Sequence, residues 1–349
     1  MTATSVPASA VARPAALSGR LVDVGATFGA AWLMFGLYLD GWAHNTSLPD
    51  SFWTPWHAVF YSGYAALAAF LGLVMLRGIA SGATFRQAIP EGYAPTVLGV
   101  IVFGVGGFFD MIWHTAFGIE RNLDVLFSPS HLMLAIGIVL LVSGPLRSVW
   151  RRGALSRPSV DAAVAVLSLG MILLMLTFML QFAMPFAFTP ATPGEARLGE
   201  LAQVRALFGI LAFTAILVAL SLLALREGVL LPGSITFLLL LDAFAMIAMR
   251  NNGQAVQRDV IFSTAVAGGI LGDLLLWRLR PGPRRLVAVR IFAAALPGAI
   301  FLWYFAAIAV HIGTWWSVTA LLGAPVLAAL AGLLVSYLAF PRVERAAAR

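Results

Sequence analysis

Four of the five histidines in this 349-residue chain fall into a repeated arrangement with aspartate. The first copy reads Asp40-Gly-Trp-Ala-His44, twelve further residues, then His57. The second reads Asp110-Met-Ile-Trp-His114, sixteen further residues, then His131. A separation of four puts Asp and His on one face of a helix. The third residue of each copy follows Thr54-Pro55-Trp56 or Ser128-Pro129-Ser130. Both runs have the form of a helix start, with Ser or Thr as N-cap, Pro at the first helical position and His two residues later. Each copy is therefore expected to be a helical hairpin that brings one carboxylate and two imidazoles together. Such a set offers three facial ligands with open positions, suited to copper, zinc or non-haem iron. The alternative is a pair of hydrogen-bonded Asp–His contacts that merely cap helix ends. The chain has no Cys, so thiolate sites are excluded. The Asp preceding each leading His favours a carboxylate-containing metal site over paired axial histidines on haem.

The elements that must position these groups are membrane helices. The chain is 61% hydrophobic and 11% charged, against about a quarter charged in a soluble domain. That composition excludes a soluble enzyme, a disordered chain and a disulfide-stapled secreted domain. Ten apolar segments long enough to cross a bilayer are expected, near 22–42, 55–76, 93–117, 129–146, 160–188, 203–225, 229–249, 259–279, 288–311 and 315–340. The fifth is long enough to tilt or kink at Pro185. Strand-like alternation is lacking, so the expected fold is an all-α polytopic integral membrane helix bundle rather than a barrel. All 22 basic residues are Arg. With the N-terminus inside, 17 of them collect on one side and five on the other, which makes both termini cytoplasmic. The basic excess thus labels topology, and nucleic acid is dropped as a partner. The expected setting is the plasma (inner) membrane as a multi-pass protein, with the metal sites near the external or periplasmic face. Residues 1–20 read as a flexible cytoplasmic tail, 21–146 as a four-helix metal-binding half, and 147–349 as a six-helix half of unknown role.

Further candidates surround the two triads. Glu120 and Asp124 could support the ligands from behind, as could His311 at the outer end of the ninth span. Counting Asp40, Asp50, Asp110, Glu120, Asp124, Glu195, Glu200 and Asp259, the outer side holds eight acids against its five Arg, which raises the local cation concentration. Met171, Met175 and Met179 recur on one face of the fifth span and suit Cu(I), although ordinary apolar packing explains them as well. Asp242 lies deep in the seventh span and Asp273 in the inner half of the eighth, where ionisable groups usually face a bundle interior or water path. Arg250 is a candidate partner for Asp242. The polar run Asn251-Asn252-Gly253-Gln254 is a candidate cover for a site.

The first triad, with Asp50-Ser-Phe-Trp-Thr-Pro-Trp-His57 running into Phe60-Tyr61, resembles a motif of the copper membrane monooxygenases (particulate methane and ammonia monooxygenases), found in one of their membrane-embedded polypeptides. The second copy, with His114-Thr115-Ala116-Phe117 and Ser128-Pro129-Ser130-His131, resembles that family's Asn-x3-His-x13-His site. Asp110 stands where the family has Asn, and the gap is sixteen rather than thirteen. The resemblance covers about residues 35–140. It implies a copper site at Asp40, His44 and His57, a second at Asp110, His114 and His131, and partner membrane subunits. It further implies activation of dioxygen to hydroxylate a small apolar substrate. The residues alone leave iron or zinc open, leave a homo-oligomer open, and leave two other functions open: copper handling or transport along the Met face and Asp242, and a metal-stabilised scaffold without catalysis.

Overall fold

A computed structural model describes residues 19–46, 48, 53–118, 123–153, 155–250 and 255–341. Within these residues the chain is helical with no strand. Its helices are α1 (Gly19–Asn45), α2 (Pro55–Ala80), the short α3 (Phe85–Ala88), α4 (Ala94–Phe117), the short α5 (Asp124–Phe127), α6 (Pro129–Val142), α7 (Gly144–Arg152), α8 (Val160–Met179), α9 (Glu200–Arg226), α10 (Ser234–Arg250), α11 (Ala255–Leu279), α12 (Leu286–His311) and α13 (Val318–Ala339). Among the described residues nine segments are long and apolar enough to span a bilayer, counting α6 and α7 as one from Pro129 to Arg152. The seventh expected span, near 229–249, is met by α10, which has 17 residues and falls just short of that length. Residues 1–18, which contain most of the expected tail, and the candidate cover 251–254 lie outside the described residues.

The fifth span departs from expectation. Helix α8 ends at Met179 rather than running to 188 with a kink at Pro185. Proline cannot donate a backbone hydrogen bond and disfavours helix at the residue before it. The chain turns here instead, and the buried Tyr304 hydroxyl donates to the carbonyls of Pro185 and Phe188, at 3.1 and 2.7 Å. Likewise the fourth span breaks at Ser143, where Pro145 opens α7.

Lipid-facing and buried surfaces are equally apolar, so close helix approach depends on small residues. In the first hairpin a Cβ on Gly36 of α1 would lie 2.4 Å from Cα of Phe60, and one on Gly63 of α2 would lie 2.6 Å from the Leu33 nitrogen. In the second, a Cβ on Gly106 of α4 would lie 3.2 Å from the Leu134 nitrogen, and one on Gly137 of α6 would lie 2.9 Å from Cα of Phe103. Gly36 and Gly106 both precede their Asp by four residues, and Gly63 and Gly137 both follow their third ligand by six. The hairpins α1–α2 and α4–α6 are thus one construction used twice. Gly36→Val is expected to force α1 and α2 apart and to destabilise the protein by roughly 1–3 kcal/mol. Gly72→Ala, at a position with open space around it, should leave the melting temperature in detergent unchanged or raised.

At the end of the bundle opposite the histidines, Asp23 of α1 is fully buried and accepts from Arg152 of α7 at 2.5 Å and from the Tyr93 hydroxyl at 2.7 Å. Arg152 also reaches Asp161 of α8 at 3.1 Å, and Arg20 pairs with the same carboxylate. Helix α1 is therefore tied to the second half of the chain, and one continuous core runs through both halves. Asp273 of α11 has a local role. Its carboxylate accepts from the backbone nitrogens of Ile235 and Thr236, at 3.1 and 3.0 Å, and caps the start of α10.

Candidate metal centre

The hairpin geometry follows from the two helix starts. Pro55 opens α2 and Pro129 opens α6, each placing its histidine in the first turn. The Ser128 hydroxyl accepts from the His131 backbone nitrogen at 3.3 Å, as an N-cap does. Thr54 behaves differently: its hydroxyl makes no backbone cap and lies 2.7 Å from Nδ1 of His57. Asp40 and His44 occupy the last turns of α1, and Asp110 and His114 those of α4.

Each sequence triad is a spatial triad. In Asp40, His44 and His57, and again in Asp110, His114 and His131, one atom from each residue lies within 4.8 Å of the other two. In the first, Nε2 of His44 is 3.6 Å from Asp40 Oδ2 and Nδ1 of His57 is 3.5 Å from Asp40 Oδ1. In the second, Nε2 of His114 and Nε2 of His131 lie 3.4 and 3.1 Å from the same oxygen, Asp110 Oδ1. That oxygen is buried, and the two ring nitrogens converge on it. Nδ1 of His114 is 3.3 Å from the Gly118 carbonyl, which can only accept. In the neutral ring the proton therefore sits on Nδ1, and the Nε2 lone pair faces the carboxylate. A His114 lone pair directed at a buried carboxylate is repelled unless a cation or a proton lies between them, and a carboxylate with two converging imidazoles is a donor set that fits a metal ion.

Tyr61 joins the two triads. Its ring stacks on His57, with centroids 6.4 Å apart and planes 17° from parallel, and its hydroxyl donates to Asp110 Oδ2 at 3.3 Å. A Cβ on Gly107 of α4 would meet this ring at 2.9 Å, so the glycine makes room for it. Tyr61 lies one helical turn after His57, and that spacing was the available signal for its role.

Asp40, His44 and His57 of the first triad, and Asp110 and His131 of the second, line one cavity of about 1030 Å³. Leu37, Phe60, Leu134, Ile138, Met175 and Phe178 form apolar wall, and Arg205 and Arg250 line it as well. The other candidates separate. Met175 and Met179 line this cavity, whereas Met171 is buried in the core away from it. Asp242 is fully buried and accepts from Thr177 Oγ1 at 2.6 Å, with Oδ2 unpartnered. It does not pair with Arg250, whose NH1 instead donates to Asn45 and Gln181. Arg250 lies two turns along α10, and its side chain reaches toward α1 and the cavity instead of back along its own helix. Asp124 opens α5 and is exposed, while its neighbours Leu123 and Val125 line the cavity. His311 is exposed at the end of α12 and does not line the cavity. Asp50 and Glu120 lie outside the described residues. Comparison with protein-family models, curated proteins and solved structures finds no match to this chain.

Proposed function

We propose that this multi-pass membrane protein holds two metal ions, one on Asp40, His44 and His57 and one on Asp110, His114 and His131, with open coordination positions facing the shared cavity. The observation that carries this reading is the buried Asp110 Oδ1, on which two imidazole nitrogens converge at 3.4 and 3.1 Å. Copper is the ion we favour, because it suits an imidazole-rich set and because the motifs resemble a copper-binding family. Bound there, copper would supply dioxygen activation, with hydroxylation of a substrate arriving through the bilayer as the reaction class. The chain's own residues hold the ions, exclude bulk water through the apolar wall, and keep the two sites in fixed register through Tyr61. The location near an external membrane face, and any partner polypeptides, belong to the same proposal.

Metal analysis of the purified protein tests it. Copper-loaded protein should carry two ions per chain, with His44→Ala and His114→Ala each losing one. Electron paramagnetic resonance should show nitrogen hyperfine structure from imidazole. Unchanged metal content in both variants would reduce the triads to protonated His–Asp ion pairs and overturn the reading.

A further inference from the structure

The wall of the cavity facing away from neutral apolar chemistry is its arginine pair. Arg205 of α9 and Arg250 of α10 both lie over the Phe188 ring, with guanidinium carbons 4.3 and 4.4 Å from its centroid. Two cations on one ring repel each other and each loses hydration, so their co-location needs compensation. Arg205 obtains part of it from Glu195 at 3.7 Å. Arg250 obtains none from a carboxylate among the described residues. Its NH1 donates to two neutral amide oxygens, Asn45 Oδ1 at 3.1 Å and Gln181 Oε1 at 3.4 Å, and its Nε is buried without a partner. The two amides hold the guanidinium in place, and neither neutralises its charge. Gln181 and Asn45 line the same cavity, as do both arginines.

The cavity lining carries Asp40 and Asp110 against Arg205 and Arg250. With the two carboxylates committed to metal ions, Arg250 is left without a carboxylate among the described residues and Arg205 with only Glu195, so this wall of the cavity is positive. Apart from the histidines, Asn45, Tyr61 and Gln181, the rest of the lining is apolar, from Leu37 and Phe60 to Met175 and Phe178. A ligand complementary to this surface has one anionic head and an apolar body.

We propose that the cavity binds an amphiphilic anion, its carboxylate or phosphate head held by Arg250 and Arg205 and its apolar body against the wall below the two triads. The proposal deepens the metal-centre reading by naming the ligand class, and rests on it for the charge balance. The head is supplied by a free organic acid or by an anionic lipid of the bilayer.

The test is calorimetric titration of copper-loaded protein in nanodiscs of zwitterionic lipid, with hexanoate and hexanol as matched probes. Hexanoate is expected to bind and hexanol to bind far more weakly. Arg250→Gln should weaken hexanoate roughly 10- to 100-fold, the cost of losing a charge-assisted hydrogen-bonding partner. Arg250→Lys should recover part of that loss, and Arg205→Gln should weaken binding independently. Every variant is compared at equal copper content and melting temperature; should Arg250→Gln fail to fold, Arg205→Gln carries the comparison. Weaker hexanoate binding in nanodiscs containing phosphatidylglycerol would support the proposal with lipid as the source of the head group, and unaltered binding would support it with a free acid. Equal binding of both probes, or hexanoate binding indifferent to both Arg→Gln substitutions, would overturn it. The two readings fail separately: protein that takes up no metal yet binds hexanoate through Arg250 sinks only the metal sites.

Discussion

Arg152→Leu is expected to destabilise the protein by roughly 3–5 kcal/mol, the cost of stranding a buried charge. Asp23, fully buried in α1, would keep only the Tyr93 hydroxyl as a hydrogen-bond donor among its present partners. Asp161 would fare better, since Arg20 still holds both of its oxygens at 3.1 Å. The loss should therefore trace to Asp23, and the double variant Asp23→Leu/Arg152→Leu should recover most of it by removing the stranded carboxylate. Chemical unfolding in a mild detergent measures both. A single variant within about 1 kcal/mol of wild type would show that water reaches Asp23 and that its charge needs no partner. Because this cluster ties α1 to α7 and α8, its loss should also loosen the register of the first hairpin against the rest of the bundle.

Asp110→Asn should cost the second triad its proposed ion while leaving the fold intact. The side chain keeps its size, and Asn can still accept from Tyr61, which now donates to Oδ2. What disappears is the negative charge between the two imidazoles. Loss of a group behind a ligand typically lowers metal affinity 10- to 100-fold, so loss of the ligand's charge should exceed about 100-fold. Copper content should fall from two ions to one, with His44→Ala in the same background removing the other. The outcome is informative, since the motif that this triad resembles carries Asn at this place. Full metal content in Asp110→Asn would mean that an amide oxygen suffices here and that the Asp110 charge serves another role.

The triads were readable in the sequence because helices impose a fixed period. A separation of four aligns Asp40 with His44 and Asp110 with His114, and a Thr/Ser-Pro-x-His start fixes the third ligand in the first turn of the returning helix. The unequal gaps of twelve and sixteen residues did not matter, because the extra length is shared between the end of α4, which runs on to Phe117, and the connection that includes α5. The glycines that set the hairpin spacing were equally periodic, and their matched offsets from Asp and His were present in the sequence. The end of α8 was harder. A run apolar enough to span reads on through Pro185, and only the availability of Tyr304, 119 residues away, to satisfy the freed carbonyls allows the turn.

The sequence by itself determined that this is an all-helical membrane bundle with two matched Asp/His hairpins, because apolar length and helical period are local properties. Only the tertiary structure decided which groups share a cavity. Arg205, Arg250 and Gln181 come from helices and turns distant in the chain, and Asp242 and Arg250, on one helix, diverge. Tyr61 likewise contacts a carboxylate 49 residues away. These are long-range pairings chosen by how helices cross in a bilayer, where van der Waals fit at glycines rather than hydrophobicity selects the neighbour.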